Sequence, residues 1–249
     1  MSELAGSPEG TAAPRTRTTG AGEAPGVSDA VTPDPSAPSV PPAPEAARSV
    51  FGAGLADAER YVARLATDGV TRGLIGPREV PRLWERHVLN SAAVADAVPR
   101  DARVVDVGSG AGLPGIPLAL ARPDLRLTLV EPMARRVEFL EEVVAELGAP
   151  WRVVRGRAEE RSVQSAVGPV DVVTARAVAA LPRLVSWCRG LLRPGAQLVA
   201  LVGSRAVAEL PSLVPELEAA GMRDVHARAV GAELGDAATT VVIMTRGPR

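Results

Sequence analysis

Residues Asp106-Val107-Gly108-Ser109-Gly110-Ala111-Gly112-Leu113-Pro114-Gly115 decide how this 249-residue chain folds. They follow Arg103–Val107, a short apolar run of the kind that forms a buried strand, and precede Ile-Pro-Leu-Ala-Leu-Ala, which reads as a helix through Ala121. Three glycines at alternate positions would weaken a turn that had only to turn. Without a Cβ they let the backbone bend sharply and come close to a ligand. Doubly wound α/β sheets bind ligands in such a place, outside the carboxyl ends of the strands where strand order reverses. A dinucleotide fingerprint, G-x-G-x-x-G, would need glycine at position 113, where this chain has Leu113. An acid at the strand end, Asp106, suits the ammonium and sulfonium of S-adenosyl-L-methionine and would repel a pyrophosphate. The Leu-Pro-Gly start of the next helix also offers less of the bare N–H cradle that a pyrophosphate uses. The loop is therefore expected to hold S-adenosyl-L-methionine, with Asp106, Gly108 and Gly110 at the cofactor. Glu131, at the end of the next strand, is placed to accept both ribose hydroxyls, which either nucleoside cofactor possesses.

Working outward, strands and helices alternate. Strands are expected at Arg126–Val130, Trp151–Val154, Val170–Thr174 and Gln197–Val202, and helices at Met133–Leu147, Leu181–Leu192 and Arg205–Ala219. Pro194-Gly195 reads as a turn. Val225–Val230 and Thr239–Thr245 have no helix between them and must pair antiparallel. The pattern predicts a doubly wound, Rossmann-like α/β sheet of seven strands, mostly parallel, with one antiparallel strand. Before it, Leu55, Ala58, Val62 and Leu65 recur at helical spacing, Gly69 to Pro77 reads as a loop, and a second helix is expected from Arg78 to Val98 with Pro81 in its first turn. The core would thus occupy 100–249 and the N-terminal helices 48–99. Residues 1–47 hold 9 of the 23 prolines and no large aromatic, so they are expected to be a disordered tail.

All 28 basic side chains are arginine. The tail carries six acids and two arginines, leaving 26 arginines against 23 acids in the remainder. That small basic surplus is compatible with a nucleic-acid partner without demonstrating one. A single cysteine, Cys188, excludes an intramolecular disulfide, and with two histidines, His87 and His226, it shows no metal-ligand spacing. No metal is expected. No apolar run reaches the roughly 20 residues that span a bilayer, and no secretory signal is seen, so the expected location is the cytoplasm with no membrane contact. Cys188 lies in a helical stretch and reads as a small buried hydrophobe rather than a nucleophile, which argues against methylation through a thiol adduct. No Asn-Pro-Pro-Tyr-type motif for exocyclic amines is present.

The glycine loop and its continuation, Asp106 to Pro117, resemble the signature of the bacterial small-subunit rRNA guanine-N7 methyltransferases, the RsmG (GidB) family. Four companions resemble further blocks of that family in the same order: Trp84-Glu-Arg-His-Val-Leu-Asn-Ser91, Glu131-Pro with Arg135-Arg136 and Phe139-Leu140, Arg157-Ala-Glu-Glu160, and Thr174-Ala-Arg-Ala-Val178. The resemblance runs from about Tyr61 to Glu209, and Arg72–Val80 resembles its actinobacterial branch. It implies transfer of a methyl group to N7 of a guanine in 16S rRNA near the decoding centre, with the small ribosomal subunit or its rRNA as partner; a monomer is expected. It further implies that Gly108 and Leu113 line the cofactor, Ala158 and Glu159 flank the adenine, and Arg176 closes the pocket and orients the reactants. Arg82, Arg86, His87, Arg135, Arg136 and Arg205 become candidate RNA contacts, and a second group, Arg152, Arg155, Arg157 and Arg161, offers phosphate contacts. Trp84 and Trp151 read as core packing rather than base-stacking platforms. The chain departs from the family at Ala200-Leu-Val-Gly203, where Val202 replaces the usual lysine; either Arg205 substitutes for it or activity suffers. The alternatives are a protein of the same fold that binds S-adenosyl-L-methionine or RNA with little catalysis, and a small-molecule methyltransferase.

Overall fold

A computed structural model of the chain describes residues 40–176 and 179–248. The chain enters through two helices, α1 (Glu45–Phe51) and α2 (Leu55–Arg64), the second running on into a wider π-type turn at Leu65–Gly69. Residues 77–97 bury Val80, Leu83, Trp84, Val88, Leu89 and Val94, as the apolar pattern requires, but they do not form one regular helix. A 3-10 turn (Pro77–Arg82) leads into a π-helical stretch (Leu83–Leu89), a single α-turn, α3 (Asn90–Ala92), and a 3-10 turn (Ala93–Ala97). Pro81 is the physical reason at the start: it lacks an N–H and its ring obstructs a continuous ladder of helical hydrogen bonds.

Beyond Pro99 the alternation is regular: β1 (Arg103–Val107), α4 (Gly115–Ala121), β2 (Arg126–Glu131), α5 (Ala134–Leu147), β3 (Arg152–Arg155), α6 (Arg161–Val167), β4 (Val170–Arg176), α7 (Leu181–Cys188), β5 (Leu192–Val202), α8 (Ser204–Ala219), β6 (Met222–Val230) and β7 (Thr239–Arg246). Gly148 stops α5 in the left-handed conformation (φ 61°), where glycine pays no Cβ penalty. The strands form one sheet in the order β3-β2-β1-β4-β5-β7-β6. Pairs β1–β2, β2–β3, β1–β4 and β4–β5 are parallel, and β7 runs antiparallel to both β5 and β6. This is the expected seven-stranded doubly wound sheet with one reversed strand.

Side chains alternate between two cores, as strand geometry dictates. Val104, Leu129, Val172, Val199 and Ile243 face the layer made by the N-terminal helices, α4 and α5. Val105, Val130, Val173, Leu198 and Met244 face α6, α7 and α8. Successive strands are added toward one edge from β1 to β3 and toward the other from β4 onward, so the switch point lies between β1 and β4.

Three expectations change in detail. The boundary expected at Arg48 falls inside α1: Ala47 is fully buried, and the Trp84 indole donates to the Pro41 carbonyl at 3.0 Å, so residues 41–47 are packed rather than part of a tail. Residues 1–39 of that segment lie outside the described residues. The Pro194-Gly195 turn is absorbed into β5, whose pairing with β4 shifts register between Val170 and Val172. Finally, α6 escapes prediction because it is seven residues long and buries only Val163, too little to show a period.

Candidate active site

At the carboxyl edge of the sheet, over the switch point, lies a cavity of about 650 Å³. Its floor is the end of β1 and the glycine loop (Val107, Gly108, Ser109, Gly110, Ala111, Leu113) and its side is the end of β2 (Val130, Glu131). Gly156, Arg157, Ala158 and Glu159 after β3, Arg176 at the end of β4, and Arg183 and Trp187 on α7 complete one flank. Leu74, Ile75 and His87 from the N-terminal segment cover the other. The volume is in the range of small-molecule and cofactor sites, about 300–1,000 Å³.

The loop's backbone donors are taken up by the end of β2 and by the loop itself. The amides of Gly108 and Ser109 donate to the Val130 carbonyl (2.8 and 3.2 Å), and those of Gly112 and Leu113 to the Ser109 carbonyl (2.7 and 3.0 Å). The Gly110 amide donates to Glu131 Oε2 at 2.9 Å. No fan of amides is left to hold a pyrophosphate, which supports a cofactor without one. Gly110 sits at φ +57°, and a Cβ there would meet only the Gly108 carbonyl at 3.8 Å, so its outer face is open. The Leu113–Pro114 peptide is cis.

Glu131 is 1% exposed and lines the cavity. Its Oε1 accepts the Met133 amide at 3.0 Å, and Arg136 stands 3.7 Å from Oε2. Each carboxylate oxygen has a second lone pair, so both remain able to accept a hydroxyl. A rigid acid with two spare acceptors suits the paired hydroxyls of a ribose. Asp106 behaves otherwise. It is fully buried and is not in the cavity wall. Its Oδ1 accepts the Thr174 hydroxyl at 2.9 Å, while Oδ2 has no hydrogen-bond partner. Gly115 crowds it: a Cβ on Gly115 would lie 2.9 Å from the Asp106 Cβ and 3.0 Å from Oδ2. Burial pushes the Asp106 carboxyl up to about 6 against the bond from Thr174. The expected direct contact from Asp106 to the cofactor is thus replaced by a buried acid under the loop. Strand alternation is the reason, since Val107 rather than Asp106 faces the opening.

Arg176 is held by acceptors from the N-terminal segment. Its Nη1 donates to Ser91 Oγ at 3.1 Å, and its Nη2 to the Arg86 carbonyl at 3.0 Å and to His87 Nδ1 at 3.2 Å. His87 Nε2 lies 2.9 Å from Glu79 Oε2. Burial pushes the His87 pKa down, opposed in part by Glu79. Tyr61 of α2 reaches under the loop and donates its hydroxyl to the Ala111 carbonyl at 2.8 Å.

A second cavity of about 360 Å³ lies on the other side of Arg176, bounded by Asn90, Leu181, Leu201, Val202 and Thr239 among others. Val202 is therefore in a wall of that space. Arg205 does not replace the missing cation: it is 91% exposed, pairs with Glu209 at 2.8 Å and lines neither cavity.

Of the residues singled out in the sequence, Gly108, Gly110, Leu113, Glu131, Ala158, Glu159, Arg176, His87, Arg136 and Arg157 meet at the first cavity. Arg82, Arg86 and Arg135 are exposed outside it, and Arg86 pairs with Glu79 at 3.4 Å. Arg82 and Arg86 do not share a regular α-helical face, because the backbone changes from 3-10 to π-type between them. Arg152, Arg155 and Arg161 are likewise exposed outside the cavity. Trp84 is buried, and Trp151 packs half-buried against the same core. Ala177 and Val178 of the Thr174–Val178 block lie outside the described residues. Sequence reasoning missed Tyr61, Glu79, Ser91, Arg183 and Trp187. For the last pair a signal was available in the four-residue helical spacing, which stacks the Arg183 guanidinium 5.0 Å from the Trp187 ring centre at the rim. Cys188 is fully buried, and burial pushes its thiol well above the usual range, as suits a packing residue. Among the described residues no group of three His, Cys, Asp or Glu is placed to hold a metal ion, and no helix is long and apolar enough to cross a membrane.

A cofactor-sized pocket over the switch point of a sheet in this order defines the class of doubly wound α/β proteins that bind a ligand at the carboxyl ends of their strands. Residues 55–236 match the model of the family described as GidB, rRNA small subunit methyltransferase G. The chain belongs to this family. It is 51% identical over 204 residues to the "Ribosomal RNA small subunit methyltransferase G" of Mycolicibacterium gilvum, covering 82% of this chain and 90% of that protein. It is 52% identical over 206 residues to the protein of the same description from Mycobacterium marinum, covering 83% and 90%.

Proposed function

We propose that this enzyme transfers a methyl group to N7 of a guanine in 16S rRNA near the decoding centre, acting in the cytoplasm as a monomer on the rRNA or the small ribosomal subunit. The observation that carries the reading is the first cavity, where the glycine loop, Glu131, Ala158 and Arg176 converge. Gly108, Gly110 and Leu113 would border the cofactor, Glu131 would accept its ribose hydroxyls, and Ala158 and Glu159 would flank its adenine. When bound, S-adenosyl-L-methionine supplies an electrophilic methyl group on a sulfonium.

Guanine N7 has a free lone pair and no proton to lose, so the reaction needs neither a general base nor a covalent nucleophile. The protein's task is to orient the base and exclude water, and orientation of this kind can contribute roughly 7–11 kcal/mol. Arg176 lines both cavities, which supports a role in which it would touch both cofactor and base. The exposed Arg82, Arg86 and Arg135 would meet phosphates, with Arg136 closer to the cofactor.

Incubation with tritiated S-adenosyl-L-methionine and small subunits from a strain lacking the activity tests the reading. Label at N7 of one guanine in 16S rRNA is expected, and no label in 16S rRNA would refute it. Val202 in the wall of the second cavity supports one rival, a protein that binds without transferring. Tight cofactor binding without label would favour that rival.

A further inference from the structure

We propose that Glu79 and His87 are positioning residues for Arg176, holding its guanidinium in the wall between the two cavities through a neutral histidine with its proton on Nε2. The proposal rests on the reading of that wall as part of the methyl-transfer site. It adds two residues that act through Arg176: His87, which also lines the first cavity, and Glu79 behind it.

The argument is one of donors and acceptors. A guanidinium only donates hydrogen bonds, so His87 Nδ1, 3.2 Å from Arg176 Nη2, must present a lone pair. The ring proton then belongs on Nε2, where the Glu79 carboxylate at 2.9 Å accepts it. The other acceptors around Arg176, the carbonyls of Arg86 and His87 and the Ser91 hydroxyl, do not titrate near neutrality. His87 is thus the one member of the clamp whose protonation changes its role. The charged and titratable groups facing it are Glu79 from the Pro77–Arg82 turn, Arg86 from its own stretch and Arg176 from β4. Tyr61 of α2 faces Arg176, and its hydroxyl stays protonated because burial pushes its pKa upward.

Protonating His87 would set an N–H against the guanidinium in place of a lone pair. The Arg176 bond is lost and two cations face each other. Burial and the cationic neighbours resist this, so His87 stays neutral below the usual histidine range. Transfer to a nitrogen with no proton to lose gives no acid limb of its own near neutrality. An acid limb in turnover, set by a depressed histidine pKa, is therefore the signature of the clamp.

The chain has only two histidines, and the second makes an internal control. His226 Nδ1 lies 2.7 Å from the Asp224 carbonyl, which only accepts, so His226 carries its proton on Nδ1. Nitrogen-15 NMR of the ligand-free full-length protein, labelled at histidine, should show the two opposite tautomers in one spectrum. The Nε2–H form should disappear in His87→Asn and persist below pH 6.5. A His87 that carries its proton on Nδ1, or is doubly protonated at neutral pH, overturns the proposal. In methyl-transfer assays His87→Asn, whose side-chain carbonyl can still accept from Arg176, should lose the acid limb and retain more of the neutral-pH kcat/KM than His87→Phe. His87→Phe should lower kcat/KM by about tenfold. Glu79→Gln should move the acid limb to lower pH, because the carboxylate that favours the protonated ring is gone. His87→Phe with the wild-type rate and pH profile overturns the positioning role while leaving the methylation reading intact. Absence of label with the wild-type enzyme overturns that reading instead, and the tautomer spectrum still decides the clamp.

Discussion

Glu131 and Asp106 are both acids at strand ends, and their surroundings give them different tasks. Glu131 lies along the cavity with both oxygens bonded to backbone amides and a lone pair left on each. Gly110→Asp would place a second carboxylate beside it in space the cofactor needs. The positive φ of +57° is one that aspartate tolerates, so the fold should survive. Calorimetry should show affinity for S-adenosyl-L-methionine falling at least tenfold, ~1.4 kcal/mol or more, with an unchanged melting temperature; unchanged affinity would refute the loop assignment. Asp106 instead makes a pH-dependent cost. With its folded pKa raised to about 6, the native state holds the proton more tightly than the unfolded chain. Its contribution to stability is fully present below about pH 4 and is lost as pH rises through about 6. Relative to wild type, Asp106→Asn should remove roughly 2–3 kcal/mol of this pH dependence, read as the difference in urea-unfolding stability between pH 4 and 7. The acid at the end of β1 was legible in the sequence, but the direction of its side chain was not, because a strand's periodicity gives two faces without saying which one opens on the ligand.

At the scale of elements, the N-terminal segment serves as a brace for the site. Helix α2 lies across the same core as α4, and the buried hydrogen bond from Tyr61 to the Ala111 carbonyl ties it to the glycine loop. Tyr61→Phe removes the donor and leaves a buried carbonyl unpaired. Stability should fall by about 1–3 kcal/mol in chemical denaturation, with a weakened cofactor affinity that a merely peripheral tyrosine would not produce. The ion pairs joining α2 and the turn that follows it to α5 are another matter. Arg64 and Arg72 both reach Glu142, which is 44% exposed, so Glu142→Gln should cost no more than about 1 kcal/mol in the same measurement. The strands and long helices were readable because apolar spacing repeats within each of them. Residues 77–97 were not, because burial alone set their pattern while Pro81 broke the regular backbone beneath it.

For the whole molecule, the near balance of 28 basic and 29 acidic side chains means that net charge does not draw the chain to RNA. Attraction must come from local arrangement, and Arg82 and Arg86 are exposed on the segment that covers the cavity. Arg82→Gln with Arg86→Gln should weaken binding to 16S rRNA and reduce the slope of log affinity against log salt by up to about 2, with cofactor affinity unchanged. An unaltered slope would remove these two residues from the interface. By itself the sequence determined the doubly wound sheet, the place of the glycine loop on it and the acid at the end of β2. Those features rest on local periodicity and on backbone conformations that particular neighbours allow. Only the tertiary structure decided that Asp106 turns beneath the loop, that Arg205 stands apart, and that Ser91, His87 and Glu79 secure Arg176. Arg176 meets Ser91 and His87 across 85 and 89 residues of chain. Such partners are chosen by how the N-terminal segment packs across β4, and no spacing within either segment records it.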